Sequence, residues 1–363
     1  MFASLLESPF LRASLAAATA LAAVAFLIPW LANAARRRQY GDRDDKSDSD
    51  TLNQLHKGKR RTPIVGGIAM LGALCASSLT WASWSEPTVW ILLLVAVGLA
   101  ALGLWDDVAK TFGAKRTQGL SPRAKLRGQL GIGLGLGALL LLMSAYGWGE
   151  GVWSSAALTE LSLPCTRWAL PLGSVGFLLF TALLLTGSSN AVNLTDGLDG
   201  LAGGCSLVAY GVYFVLLSLA ADPILSARLG LTAAPGAGEA AIVLGAQFGA
   251  LTGFLVFNRH PAQVFMGDTG SLPLGGLLAA AAVLCKQELL LALVGGVFVA
   301  EALSVMLQVA SFKLTGRRVF RCAPLHHHFE FKGWPETLVV NRFHAAALIL
   351  GGLGLWASLG GVS

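Results

Sequence analysis

The chain has 363 residues, of which 55% are hydrophobic and only 13% charged, with a mean hydropathy of +0.65. Soluble domains carry roughly twice that charged fraction, so an ordinary water-soluble globule is excluded and most of the chain must face lipid or other apolar helices. The net charge of +6 does not point to nucleic acid either, because the basic residues flank apolar runs, where they set orientation in a membrane.

Apolar runs long enough to span a bilayer, or nearly so, cover residues 14–34, 64–83, 88–105, 128–147, 171–189, 201–220, 239–257, 270–285, 289–311 and 343–361. They predict an all-α integral membrane protein of about ten transmembrane helices, a single polytopic domain over 1–363. The first run ends in Ala32-Asn33-Ala34, which imitates a signal-peptidase site, yet its length and the Arg36-Arg37-Arg38 that follows predict a retained helix. The run at 270–285 is short, so a broken or partly buried helix is an alternative there. All but four of the 26 lysines and arginines fall in the connections at 35–63, 106–127, 258–269 and 312–342, the exceptions being Arg12, Arg167, Arg228 and Lys286. That bias makes these connections, and 187–200 with them, cytoplasmic and leaves both termini outside. The five cysteines show neither CxxC nor Cys/His spacing, so no disulfide framework or zinc site is indicated.

The polar motifs lie in the cytoplasmic connections. Residues 36–55, mixed in charge and rich in serine, read as a solvated, mobile loop. His56-Lys-Gly-Lys-Arg-Arg-Thr-Pro-Ile-Val-Gly-Gly67 follows; its basic residues suit lipid headgroups as well as a substrate, and its paired glycines allow close backbone approach. Trp105-Asp106-Asp107-Val-Ala-Lys110, with Ser121-Pro-Arg-Ala-Lys125 behind it, offers carboxylates for a divalent cation and lysines for phosphate, or simply caps a helix. Asn190-Ala-Val-Asn-Leu-Thr-Asp-Gly-Leu-Asp-Gly200 is a polar island between apolar runs. Bare carboxylates at that depth point to a site rather than to a solvated loop. If the island runs into the next helix, Asp196 and Asp199 share a face. Phe265-Met-Gly-Asp-Thr-Gly-Ser271 adds Asp268 in a turn that would also serve as a helix cap. Pro324-Leu-His-His-His-Phe-Glu330 lacks the i,i+4 spacing of a helical zinc site and fits phosphate binding, proton handling or hydrogen bonding to a sugar better.

Aspartates from three connections, glycine turns, lysines and histidines on one side of a membrane describe a magnesium-assisted phosphoryl-transfer site. In Asp106-Asp107, Asn190 to Gly200, Phe265 to Ser271, Glu301-Ala-Leu-Ser-Val-Met-Leu-Gln-Val309, Pro324 to Glu330 and Lys332-Gly-Trp-Pro-Glu336 the chain resembles the polyprenyl-phosphate N-acetylhexosamine-1-phosphate transferases. The histidine run and Lys-Gly-Trp-Pro-Glu mark the branch that uses a muramoyl-pentapeptide donor. The resemblance implies a ten-helix homodimeric enzyme of the bacterial plasma membrane. It would move phospho-N-acetylmuramoyl-pentapeptide from UDP-N-acetylmuramoyl-pentapeptide to undecaprenyl phosphate with Mg2+, giving lipid I and UMP for peptidoglycan synthesis. It further implies Asp268 as magnesium ligand with Asp107 as second acid, and Asp106 as the group that positions or deprotonates the lipid phosphate. Asn190, Asn193, Asp196, Gly197, Leu198, Asp199, Asn258 and Phe265 would bind the nucleotide, His326, His327 and His328 the diphosphate or sugar, and Lys59, Thr62, Lys110 and Lys125 would line the phosphate path. The family's usual Lys-x-Gly-Thr-Pro-Thr-Met-Gly-Gly reads Lys59-Arg-Arg-Thr-Pro-Ile-Val-Gly-Gly67 here. The competing expectations are a sister transferase using UDP-N-acetylglucosamine and a transporter with carboxylates at broken helices; the transporter needs mid-bilayer charges and an inverted repeat, and the sequence shows neither.

Overall fold

In hydrocarbon every backbone N–H and C=O must be satisfied within its own segment, so long apolar runs become helices. The computed structural model describes residues 8–37, 62–112, 119–149, 155–163, 166 and 168–359. Its elements are α1 (Pro9–Arg37), α2 (Gly66–Trp81), α3 (Pro87–Phe112), α4 (Pro122–Ala145), α5 (Ser155–Thr159), β1 (Glu160–Ser162), β2 (Ala169–Pro171), α6 (Gly173–Thr195), α7 (Leu201–Ala220), α8 (Pro223–Arg228), α9 (Ala237–Asn258), α10 (Gly267–Leu284), α11 (Leu290–Val294), α12 (Gly296–Thr315), α13 (Leu325–Glu330) and α14 (Glu336–Leu359). Among the described residues nine helices are long and apolar enough to cross a membrane, and α2, at 16 residues, is a shorter apolar helix. The chain is an all-α integral membrane protein.

Two helices are organised by small side chains. The buried face of α1 (Ala13, Ala16, Ala20, Val24, Ile28, Ala32 and Ala35) recurs every three or four residues and lies along α9. There Gly245, Gly249 and Gly253 meet Ala13, Ala17 and Leu21 with no room for a Cβ at Gly249, so the two backbones touch, as small-residue stripes allow. α10 packs against α3 and α6, and every residue from Thr269 to Leu284 is buried. A helix apolar all round has no lipid face and belongs inside. The short run at 270–285 is therefore one continuous helix enclosed by the bundle, with the Asp268 motif at its N-terminus.

The structure departs from the sequence expectation in three places. The run at 289–311 is split, because the chain turns at Gly295 between α11 and α12. A two-stranded antiparallel hairpin pairs Glu160 with Pro171 and Ser162 with Ala169, too short to register as alternation. α14 starts at Glu336, seven residues ahead of the expected 343. Beyond the far end of α10, Lys286 and Glu288 form a buried ion pair of 2.8 Å, and Lys286 Nζ also donates to the Leu158 carbonyl at 3.0 Å. That ties the α5 segment to the α10–α11 turn. The charged loop from residue 38 to 55, Lys59 and Arg61 lie outside the described residues.

Candidate active site

The last turns of α3 carry Asp106, Asp107 and Lys110. The i,i+4 spacing lets Lys110 Nζ reach Asp106 Oδ2 at 2.7 Å, while Asp106 Oδ1 accepts from the Leu120 backbone N–H at 2.6 Å. Lys125, one turn into α4, stands 3.6 Å from the same Asp106 oxygen. Asp268, at the start of α10, sends Oδ2 into this group, 2.5 Å from Lys125 Nζ and 3.1 Å from Lys110 Nζ. Its Oδ1 accepts from Asn193 Nδ2 of α6 at 2.8 Å, and that amide also donates to Ser271 Oγ at 2.8 Å. Four helices thus converge on two carboxylates and two ammonium groups. Asp106 is 2% exposed, and its Oδ2 faces both ammonium groups.

Asp107, expected as the second acid beside the metal, makes a different set of contacts from Asp106. Its Oδ1 accepts from the Asp268 N–H at 3.2 Å, and its Oδ2 from the Thr269 N–H at 3.0 Å and Thr269 Oγ at 2.7 Å. The carboxylate therefore caps the N-terminus of α10 from outside that helix, satisfying donors that have no partner within it. Gly267 makes the approach possible, with φ of +65° and no Cβ to press on Asp107. Asp106 and Asp268 are the two carboxylates of the lysine cluster that would hold a cation. Both Oδ2 atoms already converge on the same two ammonium groups, and hard carboxylate oxygens beside phosphate-binding lysines are the donor set magnesium takes, so the residues present fit that ion.

The island is not a continuation of the next helix. α6 runs through Thr195, so Asn190 and Asn193 are helical, and residues 196–200 form a turn closed by Gly200 at φ of +79°. Asp196 and Asp199 consequently share no helix face. Asn190 gives its amide to Gln129 Oε1 at 2.8 Å and the Thr186 carbonyl at 2.9 Å. Gln129, fully buried on α4, also donates to Ser189 Oγ at 3.1 Å. Asn190 thus belongs to a buried strut between α4 and α6. Asn258 is likewise committed, accepting from the Gly200 N–H at 3.0 Å and donating to the Val264 carbonyl at 2.9 Å. Leu198 is core. Asp196 and Gly197 remain half-buried in the turn.

Asp199 Oδ2 lies 3.1 Å from His260 Nδ1 and accepts from the Ala262 N–H at 3.0 Å, and the Asp199 N–H donates to Glu336 Oε1 at 2.8 Å. Donor atoms of Asp199, His260 and Glu336 fall within 4.8 Å of one another, knotting the island to the α9–α10 connection and to α14. His344 Nε2, from α14, adds a hydrogen bond of 3.1 Å to the Gly200 carbonyl. Half-buried Phe265 is held by its backbone: its N–H donates to Pro63 O and its carbonyl accepts from the Gly66 N–H, both at 2.9 Å, just past buried Thr62. The paired glycines end the connection between α1 and α2 against this strand-like bridge.

The three histidines diverge. His326 is buried against Glu301 of α12. His327 pairs with Glu330 at 2.7 Å. His328 accepts at Nδ1 from the Arg321 N–H at 3.1 Å, which requires a neutral ring; burial first, then the charges of Lys332 and Arg321, hold its pKa below the usual histidine value. Phe329 stacks on Trp334 with centroids 4.6 Å apart, and the Arg342 guanidinium lies 4.3 Å from that indole. The Lys-Gly-Trp-Pro-Glu stretch therefore packs the histidine helix onto α14. Gln129, His260, Glu301, Glu336 and His344 were not expected at the site. Glu301 and Gln129 carried a signal nonetheless, as isolated polar residues within apolar runs.

The sequence profile of glycosyl transferase family 4 matches residues 89–286, the stretch that holds Asp106, Asp107 and Asp268. The fold and site thus define an integral membrane transferase of that class. Over 342 residues, 94% of this chain and 91% of the relative, the sequence is 42% identical to the phospho-N-acetylmuramoyl-pentapeptide-transferase of Desulfotalea psychrophila. The chain belongs to the phospho-N-acetylmuramoyl-pentapeptide-transferase family.

Proposed function

We propose that the chain transfers the phospho-N-acetylmuramoyl-pentapeptide unit of UDP-N-acetylmuramoyl-pentapeptide to undecaprenyl phosphate, releasing UMP and forming lipid I. The observation that carries this reading is the convergence of Asp106, Lys110, Lys125, Asn193 and Asp268 from four helices, in a chain 42% identical to a relative bearing that transferase's name.

A phosphate oxygen of the lipid attacks the sugar-bearing phosphorus of the donor; the bond from that phosphorus to the bridging oxygen breaks, and the electron pair leaves with UMP. Lys110 and Lys125 offset the charge that grows on the leaving group. A phosphate monoester is mostly ionised near neutral pH, so Asp106 orients the lipid phosphate more than it deprotonates it. Asn193 holds Asp268 toward the lysines. Magnesium bound at Asp268, with Asp106 alongside, would neutralise diphosphate charge. The Asp196 turn and Phe265 receive the uridine end, with the aromatic ring available for stacking, and the histidine helix lies beside the diphosphate and sugar. The asymmetry of lysine and arginine supports a cytoplasmic location for this end of the bundle, in a bacterial inner membrane. There the soluble nucleotide has access while the lipid enters from the bilayer, and two copies of the chain form a homodimer.

The test is donor choice. Detergent-solubilised protein is given each UDP-sugar in labelled form, and released UMP is counted. Release from UDP-N-acetylmuramoyl-pentapeptide alone, dependent on undecaprenyl phosphate and abolished by chelating magnesium, is expected. Asp268→Asn should abolish release while the protein still inserts and folds. Equal turnover of UDP-N-acetylglucosamine would reassign the chain to the sister transferases, and release without the lipid phosphate would overturn the reaction.

A further inference from the structure

Glu301 is the lone acidic residue of α12 and is fully buried. A carboxylate in a membrane span is disfavoured unless a partner and a role hold it there. Its Oε1 accepts twice from one residue, from the His326 backbone N–H at 3.1 Å and from Nδ1 of the same ring at 3.2 Å. A carboxylate facing Nδ1 keeps the proton on that nitrogen and fixes the plane of the ring, which leaves Nε2 as the one ring atom still to be used. His326 is 1% exposed, and among the described residues Nε2 has no hydrogen-bond partner, nor has Glu301 Oε2. Orphaned buried polar atoms are rare and call for an explanation.

Nε2 has a definite target. It lies against the island turn at Gly197, where an added Cβ would overlap it. The ring is thus braced from α12 on one side and reaches the turn between α6 and α7 on the other, in the gap that a glycine leaves open. His327 stands beside it, with ring centroids 4.2 Å apart, and turns away toward Glu330.

We propose that Glu301 is a positioning residue for the transfer and acts through His326. By accepting from Nδ1 and from the backbone it sets the tautomer and plane of the imidazole, so that Nε2 is presented at the Gly197 turn to a phosphate or sugar oxygen of the donor. This deepens the reading of the site as a phospho-sugar transferase and rests on it. A purely structural Glu301 would staple α12 to α13 and do nothing more.

A double-mutant cycle separates the two. Turnover and KM for the donor are measured in wild type, Glu301→Met, His326→Ala and the double variant, each first checked for monodisperse elution. Loss of an orienting partner of this kind is expected to lower kcat of E301M by about 10- to 100-fold, with donor KM moving less than about threefold. Glu301→Gln keeps an acceptor oxygen and should recover kcat to within about fivefold of wild type. In the His326→Ala background the Glu301→Met change should cost less than about twofold, because the residue it acts through is gone. If E301M does not fold, Glu301→Asp, which withdraws the carboxylate by one methylene, replaces it in the cycle with the same expected sign. Equal losses in both backgrounds, or wild-type turnover in the single variant, overturn the assignment. A wild-type protein that releases no UMP from this donor instead overturns the functional reading, and the positioning role falls with it.

Discussion

Replacing Asp107 by Asn distinguishes a capping carboxylate from a metal ligand. The carboxylate accepts three hydrogen bonds at the start of α10, from the Asp268 and Thr269 N–H groups and Thr269 Oγ, at 3.2, 3.0 and 2.7 Å. An amide of the same shape has one acceptor oxygen. If that oxygen keeps the two Thr269 donors, an NH2 group faces the Asp268 N–H. One charge-assisted bond, worth about 1.5–3 kcal/mol, is then lost, and the other two weaken to neutral ones. Asp107 is 7% exposed, so water does little to soften the change. The expected cost is about 2–4 kcal/mol, a factor of roughly 30 to 1,000 in the population of the intact helix start. Because Asp268 is the first residue displaced, D107N should unfold at lower temperature in detergent and release UMP at least about tenfold more slowly. The magnesium concentration giving half-maximal rate should move less than about threefold. Unaltered unfolding with a magnesium requirement raised tenfold or more would refute the capping role and make Asp107 a ligand after all.

Lys125→Met should cost more than Lys110→Met. Lys125 lies 2.5 Å from Asp268 and its side chain is 16% exposed, whereas that of Lys110 is 45% exposed and at 3.1 Å. UMP release should fall about 100-fold or more for K125M and about tenfold for K110M, and the reverse order would contradict the geometry. Gln129→Leu removes the partner that holds Ser189 and Asn190, and should lower stability by about 1–3 kcal/mol in thermal unfolding while donor KM stays put. A large KM increase would return Asn190 to the nucleotide pocket. Lys286→Met strands the buried Glu288 carboxylate and should destabilise by about 3–5 kcal/mol, most of it restored in the Lys286→Met, Glu288→Met double variant. Additive losses in the double variant would show that the two charges act separately.

Much of the architecture was legible because the membrane allows so few solutions. Most of the apolar runs became helices near their expected places, since unsatisfied backbone is intolerable in lipid whatever the neighbours are. The Asp106, Lys110, Lys125 and Asp268 motifs were equally visible as charges at the edges of such runs, where only a site or a partner explains them. The tertiary structure decided which oxygen faces what. Asp106 and Asp107 are adjacent in the chain, yet successive helical positions point about 100° apart. One carboxylate therefore meets two lysines and the other caps α10, and no local rule ranks them. Asn190 and Asn258 were expected at the nucleotide, and their hydrogen bonds to Gln129, Gly200 and Val264 were not legible, because these partners include residues some 60 positions distant. The histidine run gave no hint that its members would part toward Glu301, Glu330 and Arg321. Sequence determined that charge had to gather at one end of an apolar bundle. Only the packing of α3, α4, α6 and α10 around a buried helix start determined which charges meet, because side-chain direction in a close-packed interior is set by neighbours far away in the chain.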